Sequence, residues 1–315
     1  MKKNVTLLLT FILIIAFSLS SLGASVSVAT ELTQVRSYYT KQNQLTLFEE
    51  TLALASMGML PGKTAFLPEK DGTAGGFAKY IFAVSATGNL PENDPDLQTL
   101  KDFQNSDGTF GNIESHCLSM LALASRKEVY NSAKAYQWLM QQQKENGSFS
   151  DSPKTTALAI SALSLSKNQE ELEAISKAVA YLIGYKATNA IDLCWQIIGI
   201  TDSGNDATTA GDRKLLETLL SYQNPADFSF YGTESDSNSD KEATVMALTA
   251  LDAINEDSSL YQRLASDGKL TFFDPAETKP LIVFGVVLLV ISAGFWIFIF
   301  AHKKNTKTLE ETKTY

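Results

Sequence analysis

Histidine and cysteine are nearly absent from this chain, with two of each among 315 residues. So few cysteines exclude a disulfide scaffold. Cys117 and Cys194 form an even pair that an exported protein can bridge, but a domain of this size holds its core without a bridge, and two buried free thiols are expected. A basic excess is also lacking. The formal charge is −9, and setting aside Lys2, Lys3 and the lysine-rich tail leaves the middle of the chain more acidic still. That excludes nucleic acid as a partner, because such binding rests on neutralising phosphates. Missing too are an alternating strand pattern, a phosphate-cradling glycine loop and a Gly-x-Ser-x-Gly elbow. With 44% hydrophobic and 19% charged residues, the chain has enough apolar material for one substantial core.

What is present begins with an apolar run at each end. Met1-Lys2-Lys3 precedes Val5 to Phe17, and Ser27-Val28-Ala29 supplies small residues for cleavage before Thr30, the regions of a secretory signal. Leu281 to Ala301 carries no charge, and its length suits a hydrocarbon core of ~30 Å. His302, Lys303, Lys304 and Lys307 follow as a basic cluster that belongs on the cytoplasmic side. The expected organisation is a signal peptide over 1–29, an extracellular domain over 30–275, a linker over 276–280, a transmembrane helix over 281–301 and a cytoplasmic tail over 302–315. This places a single-pass protein in the cell membrane.

Between the ends one phrase occurs twice, about 39 residues apart: Gln104-Asn-Ser-Asp-Gly108-Thr-Phe110 and Gln143-Lys-Glu-Asn-Gly147-Ser-Phe149. Before each copy, Leu97, Leu100 and Phe103, or Ala135, Trp138 and Leu139, recur at helical spacing. After each copy, Cys117 to Leu123 and Ala157 to Leu163 are apolar nearly all round, so the second helix of each pair is the inner, buried one. Gly serves a turn needing positive φ, Phe pins the loop, and Gln reaches back to the open carbonyls ending its own helix. Two copies are degraded. Tyr181 to Tyr185 leads through Asn189 into Ile191 to Ile198, and Leu219 to Asn224 leads through Phe228 and Phe230 into a polar loop. Ser239-Asp-Lys-Glu242 closes that loop as a capping box before a helix from Ala243 to Ile254. Leu47 to Met59 and Phe77 to Thr87 read as further helices ending in Gly58 and Gly88. The fold class is all-α: about six helical hairpins forming an α/α toroid, with an open helical solenoid as the rival.

The phrase Gln-x3-Gly-x-Phe followed by a helix of small and apolar residues resembles the repeats of the prenyltransferase and squalene-cyclase superfamily. The resemblance implies an α6/α6 barrel over most of the extracellular part. Together with the signal and the anchor, the chain looks most like the prenyltransferase-like surface proteins of bacteria, and the same toroid carries cobalamin in extracellular transport proteins. The chemistry of the superfamily does not follow residue by residue. Its terpene cyclases use an Asp-x-Asp-Asp acid, whereas Asn93-Asp94-Pro95-Asp96 lies in a Pro-containing loop and reads as a helix N-cap. Its protein prenyltransferases hold zinc through Asp-x-Cys and a later His. Asp192-Leu-Cys194 matches the first part, but the only later histidine is His302 beyond the apolar run, and His116 lies upstream in another repeat. Protein prenylation also needs cytosolic substrates, and the complement-type Gly-Cys-Gly-Glu-Gln thioester is missing.

The starts of the inner helices carry Glu114, His116, Thr156, Asp192, Trp195 and Glu242, which in a toroid would surround one mouth of a central cavity. Acids there are also favoured by the helix dipole alone. No cofactor is expected; zinc at Asp192, Cys194 and His116, and calcium on the acidic loop Glu234 to Asp240, are the alternatives. The composite expectation is a membrane-anchored extracellular binding or interaction module, non-catalytic, offering its cavity or rim to a small molecule, wall polymer or surface protein. An isoprenoid- or carbohydrate-active enzyme on the same barrel and a structural subunit of a membrane complex are the other readings.

Overall fold

The computed structural model describes residues 28–88, 94–166, 168–211, 214–268 and 270. The expected signal and transmembrane segments therefore lie outside the described residues, apart from residues 28 and 29. Among the described residues no helix is long and apolar enough to cross a membrane. Twelve helices and no strand are found there: α1 (28–40), α2 (Phe48–Ser56), α3 (Ala74–Thr87), α4 (Pro95–Asp102), α5 (Ile113–Ser125), α6 (Ser132–Gln141), α7 (Pro153–Leu163), α8 (Gln169–Gly184), α9 (Ala190–Asp202), α10 (Leu215–Ser221), α11 (Lys241–Glu256) and α12 (Leu260–Asp267).

Local chemistry starts these helices where the chain needs them. Thr73, Asp94, Asn112, Asn131, Ser152, Asn189, Asp240 and Ser259 each accept a backbone N–H of the first turn, an interaction typically worth ~1 kcal/mol. Asp94 thus caps α4, with Pro95 in its first turn, as the sequence predicts. The start of α11 differs from expectation. Asp240, not Ser239, caps it, accepting from Ala243 N at 2.7 Å. Ser239 is engaged elsewhere, by the Ser229 hydroxyl and by Asn224 Nδ2.

Six helices follow one another through contact: α2 packs on α3, α3 on α5, α5 on α7, α7 on α9 and α9 on α11, and α11 also packs on α2. These are the inner helices expected from their all-round apolarity; α5 buries Cys117 to Leu123 without a break. The helices between them are amphipathic, α4 burying Leu97 and Leu100 and α6 burying Ala135 and Leu139. At the junction of α11 with α2, Lys241 Nζ lies 3.3 Å from Glu50 Oε1 and donates to Thr46 Oγ1. Farther along, Ser56 Oγ donates to Asp252 Oδ2 at 3.1 Å.

The repeated phrase forms the turns before α5 and α7. Gly108 and Gly147 have φ of 96° and 86°, and a second constraint falls on the same positions. A Cβ on Gly108 would lie 2.5 Å from the Lys134 carbonyl carbon, and one on Gly147 would lie 2.2 Å from Lys177 O. Glycine is therefore required both by the turn and by the approach of the next outer helix. Phe110 and Phe149 are buried. The glutamines act differently from expectation. Gln104 Nε2 donates to Gly108 O and to Asn131 O, while Gln143 Nε2 donates to Gly147 O and to Ala174 O. They tie the turn to the next outer helix, because carbonyls at the end of their own helix already accept backbone N–H groups.

A shorter signal underlies this one. Asp71, Asp107, Asn146 and Asp227 each accept the backbone N–H of the Thr or Ser two residues on, in the turns leading to α3, α5, α7 and α11. This Asp/Asn-x-Ser/Thr turn extends the repeat to α3, where the longer phrase is absent. In the turn before α11, Phe228 stands where the intact copies carry Gly and takes φ 64°.

The last helix, α12, packs on α2, α3, α5, α7 and α11 and reaches α9 through Tyr261 and Ser259. Tyr261 stacks on Trp195, ring centroids 5.7 Å apart, and meets Phe82 edge-on. Ser259 donates its N–H and hydroxyl to Asp202 at 2.6 Å each, and Ser161 donates to the same carboxylate. Arg263 pairs with the buried Asp252.

Gly147→Ala should lower stability by about 2 kcal/mol or more through backbone strain and the clash with Lys177 O. Gly184→Ala, at a position with open space around it, should be neutral or stabilise by up to about 1 kcal/mol. Urea titration of the two variants checks the contrast. Asp252→Ala leaves the buried Arg263 guanidinium with only the longer pair to Glu256 Oε2 at 3.7 Å and should cost about 3 kcal/mol, whereas the double change Asp252→Leu with Arg263→Met should lose less than the single one in the same titration.

Candidate functional site

The N-terminal halves of the six inner helices bring together Glu49 of α2, Lys79 of α3, Glu114 of α5, Lys154 of α7, Trp195 of α9 and Glu242 of α11. Glu114 is the centre of the arrangement. Its Oε1 lies 2.9 Å from Lys154 Nζ and 3.5 Å from Lys79 Nζ, so one carboxylate bridges two ammonium groups. Lys154 Nζ also stands 6.0 Å from the centroid of the Trp195 ring. Burial alone would push the Glu114 carboxyl up, but Lys154 and Lys79 outweigh it and hold the group below its ordinary value. Burial dominates at Glu49, with Glu242 adding to it, and its carboxyl is raised.

Two members of this cluster, Lys79 and Glu114, line a cleft of about 750 Å3 between the starts of α3 and α5, together with Glu69, Asp71, Asn112 and Ser115 among others. Two glycines keep α3 close to its neighbours there. A Cβ on Gly75 would lie 2.5 Å from Ser115 Oγ, and one on Gly76 would lie 2.2 Å from Asp71 Oδ1. The volume falls in the range of ligand pockets, ~300–1,000 Å3. Its lining offers carboxylates, an ammonium, an amide and hydroxyls, the donor and acceptor set that grips hydroxyl groups from several sides.

Of the six residues singled out in the sequence, Glu114, Trp195 and Glu242 belong to this cluster. His116 and Thr156 lie elsewhere. His116 is fully buried; its Nδ1 accepts from Phe110 N at 3.1 Å and its Nε2 faces Ala135 O at 3.1 Å, which assigns the proton to Nε2. Thr156 Oγ1 accepts from Phe149 N at 3.0 Å, and Thr244 Oγ1 accepts from Phe230 N at 2.9 Å. All three residues do the same work in three repeats. Asp192 joins α8 to α9, its Oδ2 accepting from the Tyr185 hydroxyl and Asn189 Nδ2.

Cys117 and Cys194 are free and buried, as expected, and burial pushes both thiols well up. Among the described residues no three His, Cys, Asp or Glu side chains gather in a way that could hold a metal ion; Asp192, Cys194 and His116 do not form such a group. In the acidic loop, Asp236 accepts from Thr233 N and Asp240 caps α11.

Glu49, Lys79 and Lys154 were not anticipated. A signal for two of them was available: Lys79 is the only charged residue in α3, and Lys154 the only one in α7. A lone charge on a helix that is otherwise buried marks the point where that helix meets a partner or an opening.

Burial lowers the imidazole of His116 to about 4, against the opposing pull of the Ala135 carbonyl and Asp107. In the unfolded chain the same group titrates near ~6.5. The folded value is the lower one, so the native state binds fewer protons between these limits and loses stability as pH falls through that window. The wild-type protein should lose on the order of 3 kcal/mol more than His116→Thr between pH 7 and pH 4, measured by denaturant titration at each pH. The chain matches no family model, and no curated protein matches it.

Proposed function

We propose that the chain is a membrane-anchored extracellular binding module, non-catalytic, in which an α/α toroid presents the α3–α5 cleft to a hydroxyl-rich ligand, either a small molecule or a unit of a wall polymer. The observation that carries this reading is the bridge Lys79–Glu114–Lys154 at the edge of the cleft. Each of these pairs is about one-third exposed, and such pairs contribute only ~0–1 kcal/mol to stability. Their placement at an opening therefore fits recognition better than support. Ring closure is favoured by the return contact of α11 on α2. The anchor rests on the uncharged run Leu281 to Ala301 and the lysines after it.

Full-length protein in detergent, screened by thermal shift against mono- and oligosaccharides, should show a saturable rise in Tm with at least one of them. Glu114→Gln and Lys79→Met should each weaken that ligand by about ten-fold, the scale of a lost charge-assisted hydrogen bond. A panel without any shift, or variants that bind as well as wild type, would overturn the proposal.

A further inference from the structure

At the opposite ends of the inner helices lies a second cleft, of about 370 Å3. Three helix C-termini meet it: Ser164 follows α7, Thr201 to Gly204 close α9, and Asp257 follows α11. Each helix C-terminus carries roughly half a negative charge from the macrodipole, although the Thr201 and Asp202 carbonyls of α9 already accept from Gly204 N, Ser164 Oγ and Gln262 Nε2. Asp202 and Asp257 add carboxylates, and among the described residues lining the cleft there is no Lys, Arg or His. The formal charges that line the cleft are thus all negative.

Two further features define what would be held. Thr201 lines the cleft and is 5% exposed, yet its Oγ1 has no hydrogen-bond partner. Leaving a buried hydroxyl unpaired is destabilising, a penalty that a bound donor would remove. One wall is apolar, formed by Ile175 and by Leu172, which is 48% exposed and one of three large hydrophobic side chains so exposed among the described residues. Asp202 is already occupied by Ser161 and Ser259, so the free carboxylate is that of Asp257. It stands at φ 52° as the first residue after α11.

We infer that this cleft binds a small primary alkylammonium: the ammonium between Asp257, Thr201 Oγ1 and the helix C-termini, the alkyl body against Leu172 and Ile175. A metal ion would need more ligating side chains than Asp202 and Asp257 supply. The volume suits a compact molecule, and no part of the site overlaps the α3–α5 cleft.

The test is calorimetric titration of the full-length protein in detergent with n-butylammonium, and with n-butanol as the neutral counterpart. Saturable binding of the ammonium, at least ten-fold tighter than the alcohol, is expected. Asp257→Asn, which keeps a residue suited to positive φ, should weaken it about ten-fold, and the isosteric Thr201→Val should weaken it several-fold. Glu114→Gln should leave it unchanged. Absence of saturable binding, equal binding of alcohol and ammonium, or full affinity in Asp257→Asn would overturn the inference. A loss in Glu114→Gln would overturn the separation of the two clefts. Saccharide binding at the α3–α5 cleft can fail without affecting any of these outcomes.

Discussion

Burying a phenylalanine in a turn also buries its backbone N–H, and the repeats are organised around satisfying that donor. Phe110, Phe149 and Phe230 are all inside the protein, where an unpaired amide costs free energy comparable to a lost hydrogen bond. Backbone cannot supply the acceptor, because the chain is turning. A side chain from the first turn or so of the next inner helix supplies it instead: His116, Thr156 or Thr244. The lock fixes how far each turn sits from its inner helix. Loop length then becomes free to vary, and the acceptor follows Phe230 by 14 residues but Phe149 by seven.

Once each turn is locked to its inner helix, the next outer helix is drawn against the turn. Gly108 and Gly147 let the backbones of α6 and α8 approach within the space a methyl group would take, and Gln104 and Gln143 bond across the same gap. Hairpin joins hairpin in this way, and the apolar inner helices are brought side by side. The last contact of the series, α11 on α2, has polar groups at two levels, with Lys241 near Glu50 and Asp252 near Ser56. Asp252 also receives Arg263, so the junction and the docking of α12 share one buried carboxylate.

The helical hairpins could be read from the chain because their signals are local: a turn phrase, a capping residue and the period of apolar positions. Asp94 as a cap, the positive φ of Gly108 and Gly147, and the burial of α5 and α7 all follow from such short-range chemistry. The roles of Gln104 and His116 did not, since each is decided by a carbonyl or amide that folding brings near, from Asn131 in one case and from Ala135 and Phe110 in the other. The polar cluster was half visible for the same reason. Glu114 and Glu242 advertise themselves at helix starts, but the meaning of Lys79 depends on Glu114 in a different repeat. Likewise nothing local in Tyr261 or Ser259 reveals that α12 will meet Trp195 and Asp202.

The two ends of the inner helices differ in how their charges are used, and the difference bears on function. At the C-terminal ends, Asp202 and Asp252 are buried and engaged by Ser161, Ser259, Ser56 and Arg263. Removing any partner there leaves a charge or hydroxyl stranded, so this chemistry holds α12 in one position. At the N-terminal ends Lys79, Glu114 and Lys154 are part-exposed. Glu114 is about one-third exposed, and its carboxylate stands between two lysines. Burial of Glu49 close by raises its carboxyl, against the pull of Lys154 and Lys79. Groups that are half-desolvated, mutually oriented and of small value to the fold are those that can exchange water for a ligand with little reorganisation.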